Sequence, residues 1–567
     1  MGGQRARTGS WVVAVLAVLV PVTTSALYLD DARTIQLTGR VSTQASWRTA
    51  SPKAFTEPAV PAGNLVQSRH LLDVEMYHDV EAWLDTMYHL RIPLDAFGYR
   101  WRVKPVYDGV TDYGPRRLRP ESNRSDESLQ ILDHKKLQHN ALFWNAYVDL
   151  AKGPLSLRIG RQDLSWGETD GFRLVDMIEP LDNRFGFPLV EDLDDRRIPL
   201  WMARATLELT FLDRGPFSNT LLEGYFVPGS IDNQISPPME LASPFGINQP
   251  RPEVIGAHLA VNEPHKNMEN SRGGGRLVTT LYNRVTLSAV HYYTYNDIPE
   301  GRIRIEPTSF NLNNFFCDPT RIDFPIHIAA CAAHFFLEAN YYPIQISGVT
   351  MTTAVPYDPQ SILRMEGAMF WGERVEESSD LSVNTLLNLF LAAQPPPVGT
   401  GQPQTTSHRN SNVVRWNVGV DRPVWLRPLN QANTFYLSGQ YFHTHILDAN
   451  DRQVFPLIDP QKSDLGKGTE FLPGVFVPRI VLDKRHQDEI FFTLGGFTFY
   501  RNGTIQPFPI FAYDPRGVWA LVPGGNYFWG TNWVFTLKYA RILGKWHELG
   551  YFKDRDVFLA RVQYNLS

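Results

Sequence analysis

The chain has 567 residues, of which 43% are hydrophobic, 12% aromatic and 20% charged, with a formal net charge of −5. Abundant aromatics exclude bulk disorder, and the acidic balance argues against a nucleic-acid binder. Two cysteines are too few for a disulfide scaffold or a cysteine-based zinc site.

At the N-terminus Arg5 and Arg7 precede an apolar run over residues 11–22, and Thr24-Ser25-Ala26 follows it. A basic region, a short apolar core and small residues at the end match a secretory signal peptide covering residues 1–26. A single membrane anchor is the alternative, but the run is short and contains Pro21. No later stretch reaches the roughly 20 consecutive apolar residues that a spanning helix needs. Residues 27–567 are therefore expected to form one domain that is either exported and soluble or a β-barrel.

From there the chain alternates. Leu72, Val74, Met76, His78, Val80, Ala82 and Leu84 interleave with Asp73, Glu75, Tyr77, Asp79 and Glu81. Next, Phe97, Tyr99, Trp101 and Val103 interleave with Gly98, Arg100, Arg102 and Lys104. Side chains on a strand point alternately to opposite faces, so each segment has one apolar face and one charged face. In a membrane barrel the first meets lipid and the second lines the lumen. If the two segments form a hairpin, the acidic row Asp73, Glu75, Asp79, Glu81 faces the basic row Arg100, Arg102, Lys104. Such rows are either an ion-pair ladder that satisfies lumenal charge or a transverse field that sets ion preference.

Turn signals punctuate the rest. Gly153-Pro154 follows a strand pattern over 142–150 and precedes one over 155–162; Asp213-Arg214-Gly215-Pro216, Asn283 and Asn502-Gly503 separate further pairs. Near Arg161 the alternation breaks, because Arg161 and Asp163 fall on the face set by Leu155, Leu157 and Ile159. That break reads as a structural turn with Trp166 in an interfacial aromatic belt, or as a polar cluster at a lumen mouth. Cys317 and Cys331 flank 13 residues, including the apolar 322–330, and an oxidising compartment would join them in a disulfide. The enclosed loop would be an inward plug or a rigid rim. Residues 394–404 read as a Pro-rich loop. The last segment, 557–566, carries Phe558 and Tyr564, as expected of a terminal strand read by barrel-assembly machinery. The expected fold is all-β: a transmembrane antiparallel β-barrel of about 16 strands, within 14–18, and bacterial single-chain barrels favour even numbers.

Several motifs carry a resemblance. Leu157-Arg158-Ile159-Gly160-Arg161-Gln162 followed by Trp166-Gly167-Glu168, then Arg197-Ile198-Pro199-Leu200-Trp201-Met202, Gly419-Val420-Asp421-Arg422-Pro423 and Tyr513-Asp514-Pro515-Arg516-Gly517 resemble a Gram-negative outer-membrane barrel family of unknown function. They spread over nearly all of the chain after residue 35. The resemblance implies a porin-like outer-membrane protein, and Arg161, Gln162, Trp166, Gly167 and Glu168 as family-motif residues. It also implies genomic association with a periplasmic lipid-carrier-like lipoprotein and a resistance-nodulation-division exporter, hence traffic in small or hydrophobic, lipid-like molecules.

No zinc-protease motif, nucleophile elbow or phosphate-binding loop is present. The expectation is a channel or conduit without catalysis, cofactor or metal, in contact with outer-membrane lipids. The rival reading is an outer-membrane lipid hydrolase built on a His–Ser pair.

Overall fold

The computed structural model describes residues 27–51, 60–115, 143–183, 189–237, 257–307, 333–378, 406–459, 461–462, 468–472, 475–478 and 482–566. The expected signal peptide (1–26), the cysteines Cys317 and Cys331 and the Pro-rich loop 394–404 lie outside the described residues.

The alternating segments close into a barrel of 18 antiparallel strands. In chain order these are β1 (Ile35–Arg48), β2 (Leu65–Asp79), β3 (Ala96–Val103, continued by Val106–Asp108), β4 (Asn145–Lys152), β5 (Leu155–Gln162), β6 (Leu200–Glu208), β7 (Phe217–Val227), β8 (Arg272–Leu281) and β9 (Val285–Tyr295). They continue with β10 (Pro343–Val355), β11 (Asp358–Ser378), β12 (Thr406–Val424), β13 (Phe435–Ile446), β14 (Asp488–Phe497), β15 (Ile505–Pro507 and Ile510–Asp514), β16 (Val518–Val522 and Gly524–Trp529), β17 (Trp533–Gly544) and β18 (Val557–Leu566). Each pairs with its chain neighbour, and β18 returns to β1 in the register Gly39↔Leu566 to Arg48↔Val557, so no edge is left open. β3, β15 and β16 are each interrupted at a proline, Pro105, Pro509 and Pro523, which has no N–H to give a ladder.

The sequence pattern undercounts by two strands for a physical reason. In β16, Val518, Ala520 and Val522 are buried while Trp519 and Leu521 are exposed, so both faces are apolar and the alternation vanishes from the sequence. The inner face is apolar there because it packs on an interior cluster rather than water. β14 is masked similarly, with Phe491 on its inner face and Phe492 on its outer one.

Elsewhere the alternation places side chains as expected. Along β17, Leu537 is 54% exposed on the outside while Thr536 and Lys538 are buried inside. Trp101, Ile159, Trp201, Leu222, Val349 and Leu494 continue the outward apolar surface. Burying such a band in hydrocarbon is what makes a closed barrel stable in a bilayer.

One end of the barrel has mostly short connections, such as 153–154, 282–284 and 356–357; the other carries most of the long ones. At 282–284 the turn uses left-handed Tyr282 and Asn283, a primed geometry that matches strand twist. The β2–β3 connection departs from the expected strand. β2 stops at Asp79, whose carboxylate accepts from the Ala82 amide at 3.1 Å and caps helix α1 (Val80–Tyr88). Asp79 and Glu81 are thus a helix cap and a first-turn residue, and the acidic row contains only Asp73 and Glu75. The small sheet of Ala257–Asn262, Glu300–Pro307 and Ala333–Asn340 pairs separately from the barrel.

Candidate functional site

The described parts of the connection between β5 and β6, residues 163–183 and 189–199, fold into the barrel. Its first arm carries Leu164, Trp166, Leu174, Val175 and Ile178 into a buried cluster with inward residues of β6, β7 and β9–β13, among them Met202, Tyr225, Tyr292, Ile346 and Phe370. Trp166 packs edge-on to Tyr225 and Tyr292 at 5.3 and 5.9 Å, and its indole N–H donates to Glu223 on β7. Trp166 is buried in the interior and does not belong to an interfacial belt.

Polar contacts hold this arm in register. Glu366 on β11 accepts from the backbone amides of Glu168 and Val175, the latter at 3.1 Å. The close approach requires Gly167: a Cβ there would sit 2.7 Å from the Asp176 Cβ and 3.2 Å from Glu366 Oε1. Arg364 donates to the Glu168 carbonyl and pairs with Asp170 and with Asp421 on β12. Arg197 ties the arms together by pairing with Asp176 and with Glu179. Glu179 has no exposed side-chain surface, and burial, reinforced by Asp176, pushes its carboxyl well above the usual range despite Arg197.

The second arm ends in an acidic tip, Glu191, Asp192 and Asp195, docked on the opposite wall. Glu191 meets Arg69 (3.3 Å, β2) and Gln44 (2.6 Å, β1). Asp192 meets Lys538 (β17) and Arg561 (β18), both at 3.3 Å. Asp195 meets Lys104 at 3.3 Å and also pairs with Arg40. Burial alone would raise the Asp195 carboxyl, but Lys104, Arg40 and Arg69 hold it well below the usual range. Val190 enters an apolar cluster with β15–β18.

The two predicted rows meet beneath this tip. Arg102 grips Asp73 through two hydrogen bonds of 2.6 and 2.7 Å, Arg40 reaches the same carboxylate at 3.2 Å, and Arg100 faces Glu75 at 3.2 Å. Side-chain exposure falls from 40% at Arg100 through 23% at Arg102 to 1% at Lys104. Lys104 is therefore sealed under the loop, and Arg100 and Arg102 are the members of the row that face open space. Across the interior, Phe172 of the loop contacts Phe442 (5.7 Å) and Phe491 (4.8 Å) edge-on.

Gln162 closes the motif on β5: it is buried and donates to the Met202 carbonyl at 3.2 Å. Arg161 points outward and donates to the carbonyls of Phe143 (2.8 Å) and Pro199 (3.2 Å), bracing the strand ends around the loop entry. The motif is thus the hinge and first arm of the in-folded connection.

One family model matches nearly the whole chain: "Protein of unknown function (DUF1302)" covers residues 7–566. The chain belongs to that family. No match was found among curated proteins. Solved structures similar to it include Acinetobacter baumannii OccAB1 (7% identity, TM-score 0.42, covering 95% of this chain and 97% of that one). Acinetobacter baumannii OccAB3 matches at 9% identity and TM-score 0.43, over 94% of this chain and 99% of that one. The outer membrane channel DcaP of the same organism matches at 8% and 0.34, over 94% and 97%.

Sequence reasoning missed the loop tip and its wall partners. The charge run Glu191-Asp192-Leu193-Asp194-Asp195-Arg196-Arg197 was the available signal: it is dense for a connection leading into an apolar strand. The His–Ser pair sought for hydrolysis exists as His291 and Ser347, 2.8 Å apart, but on the outward face of β9 and β10. Ser347 also takes the Trp371 indole N–H at 2.9 Å, and among the described residues no carboxylate orients the imidazole. That arrangement lacks the third group a hydrolytic triad uses.

Proposed function

We propose that this protein is a non-enzymatic outer-membrane channel of the Gram-negative envelope, passing small molecules that combine a charged group with an apolar body. The observation that carries the reading is the in-folded connection 163–199. It brings Phe172 against Phe442 and Phe491 on one side of the interior, while Arg100, Arg102 and Glu75 line another, and the proposed passage runs between them. An outward apolar band supports a membrane setting, and short turns at one end would place that end in the periplasm. Charges held in fixed pairs orient a polar solute, while the phenylalanines accept its apolar part. Residues 1–26 would direct export. The periplasmic lipoprotein and the resistance-nodulation-division exporter implied by the family resemblance are the proposed partners on the inner side.

The test is planar-bilayer conductance of the refolded full chain, with reversal potential under a salt gradient. Stable channel steps, with current blocked by amphipathic ions more than by inorganic ions of equal charge, are expected. Silence from a correctly folded barrel would overturn the aqueous channel and favour a conduit for wholly hydrophobic molecules.

A further inference from the structure

A cluster outside the lumen points to a metal site. On β13, His443 and His445 are two residues apart and so share the outward face. Asp488, the first residue of β14, stands directly opposite His445 in the antiparallel register. Its Oδ1 lies 3.0 Å from His443 Nε2 and 2.6 Å from His445 Nδ1. The three ligand atoms all fall within 4.8 Å of one another.

The surroundings hold the first imidazole in place. Trp416, opposite on β12, stacks on the His443 ring at 5.1 Å with 13° between planes. The Tyr441 hydroxyl meets His443 Nδ1 at 2.8 Å, which fixes the ring orientation and leaves Nε2 aimed at Asp488. A metal-binding histidine characteristically has its second nitrogen engaged in this way. Directly below, Tyr441, Phe492, Tyr513 and Trp519 form a run of ring contacts along the outer face. The cluster thus stands at the long-loop end of the barrel, above an aromatic girdle of the kind that marks the membrane interface.

We infer that His443, His445 and Asp488 form a binding site for one borderline divalent transition-metal ion of the zinc class. Two imidazole nitrogens and one carboxylate suit zinc, nickel or copper; calcium and magnesium favour all-oxygen sets. Bonds of about 2.0 Å in a tetrahedral arrangement put ligand atoms roughly 3.3 Å apart, so small side-chain rotations would open the cluster to accept the ion. The fourth position would face solvent and the lipid head groups.

The experiment is calorimetric titration of zinc chloride into the full chain folded in detergent, with folding of every variant checked by heat-modifiable gel mobility. One zinc per chain is expected, with affinity at least tenfold weaker in His445→Gln and in Asp488→Asn. His547→Gln, in the separate cluster of Asp514, His547 and Glu548, should bind zinc as the wild type does. Cobalt substituted for zinc should give the visible absorption of a nitrogen- and oxygen-ligated ion, lost in the His443→Gln variant. Absence of saturable binding to the folded wild type, or binding that survives both site variants, or binding abolished by His547→Gln instead, would overturn the assignment.

Discussion

Replacing Asp195 by Asn tests whether the acidic tip holds the connection 163–199 across the lumen. Lys104 is 1% exposed and lies 3.3 Å from the Asp195 carboxylate, so the substitution leaves a sealed ammonium without its counter-charge. Breaking such a buried pair costs about 3–5 kcal/mol. The lower end applies, because Lys104 also donates to the Asp195 backbone carbonyl at 3.1 Å and keeps that bond while the tip is docked. At 1.4 kcal/mol per decade, a cost of about 3 kcal/mol lowers the docked-to-undocked ratio by more than about 100-fold. Single-channel recording should show a larger and noisier open state. Adding Lys104→Met removes the stranded charge and should recover part of the loss, giving a coupling of about 0.5–3 kcal/mol in a double-mutant cycle. Wild-type conductance and noise in Asp195→Asn, or strictly additive singles, would refute the reasoning. The pH dependence follows from the same pair. A carboxyl held below its usual value contributes stability fully above the unfolded value near 3.8 and loses it as pH falls through the depressed folded value. The tip should therefore stay docked from neutral pH down to about 4.5 and release only in stronger acid.

Neutralising Arg100 and Arg102 together with Gln should shift the reversal potential toward cations, since Glu75 and Asp73 then dominate that wall; an unmoved potential would take both arginines out of the selectivity argument. Gly167→Ala forces a Cβ to 2.7 Å from the Asp176 Cβ. It should loosen the first arm by about 1–3 kcal/mol, read as faster proteolysis within 163–199. Glu179 carries the opposite pH sign from Asp195: burial raises its folded value, so its contribution is full below the unfolded value near 4.5 and declines as pH rises through the folded one. Glu179→Gln, which mimics the protonated acid, should flatten that decline with rising pH in thermal unfolding, and an unchanged pH profile would count against it.

The barrel was legible because its outward side is apolar at every second residue; β18 reads directly from 557–566. Legibility failed where the interior is itself apolar. β16 packs Val518, Ala520 and Val522 inward, and period two disappears. It failed again at Asp79, where an N-cap ended a strand that the alternation continued through Leu84. That the acidic and basic rows share the inner face of the β2–β3 hairpin was legible from side-chain parity; the individual partners, Asp73 with Arg102 and Glu75 with Arg100, were not. Nor was it legible which of those charges stay open to the lumen, because a connection about 90 residues further along covers Lys104. The same holds for His443 and Asp488, whose proximity depends on the β13–β14 register.

The seam between β1 and β18 has a consequence for biogenesis. Residues 39–48 pair along one edge with β2 but find partners for their other edge in 557–566, so the ladder cannot be closed until that segment has been delivered. Until then both terminal strands present unpaired amides and carbonyls, which hydrocarbon does not tolerate. The growing sheet must be shielded during this interval, and closure waits on delivery of residues 557–566. A chain lacking residues 557–566 would accumulate as an unclosed sheet, whereas one with its ends joined and a new break at Gly153-Pro154 would retain every strand pair.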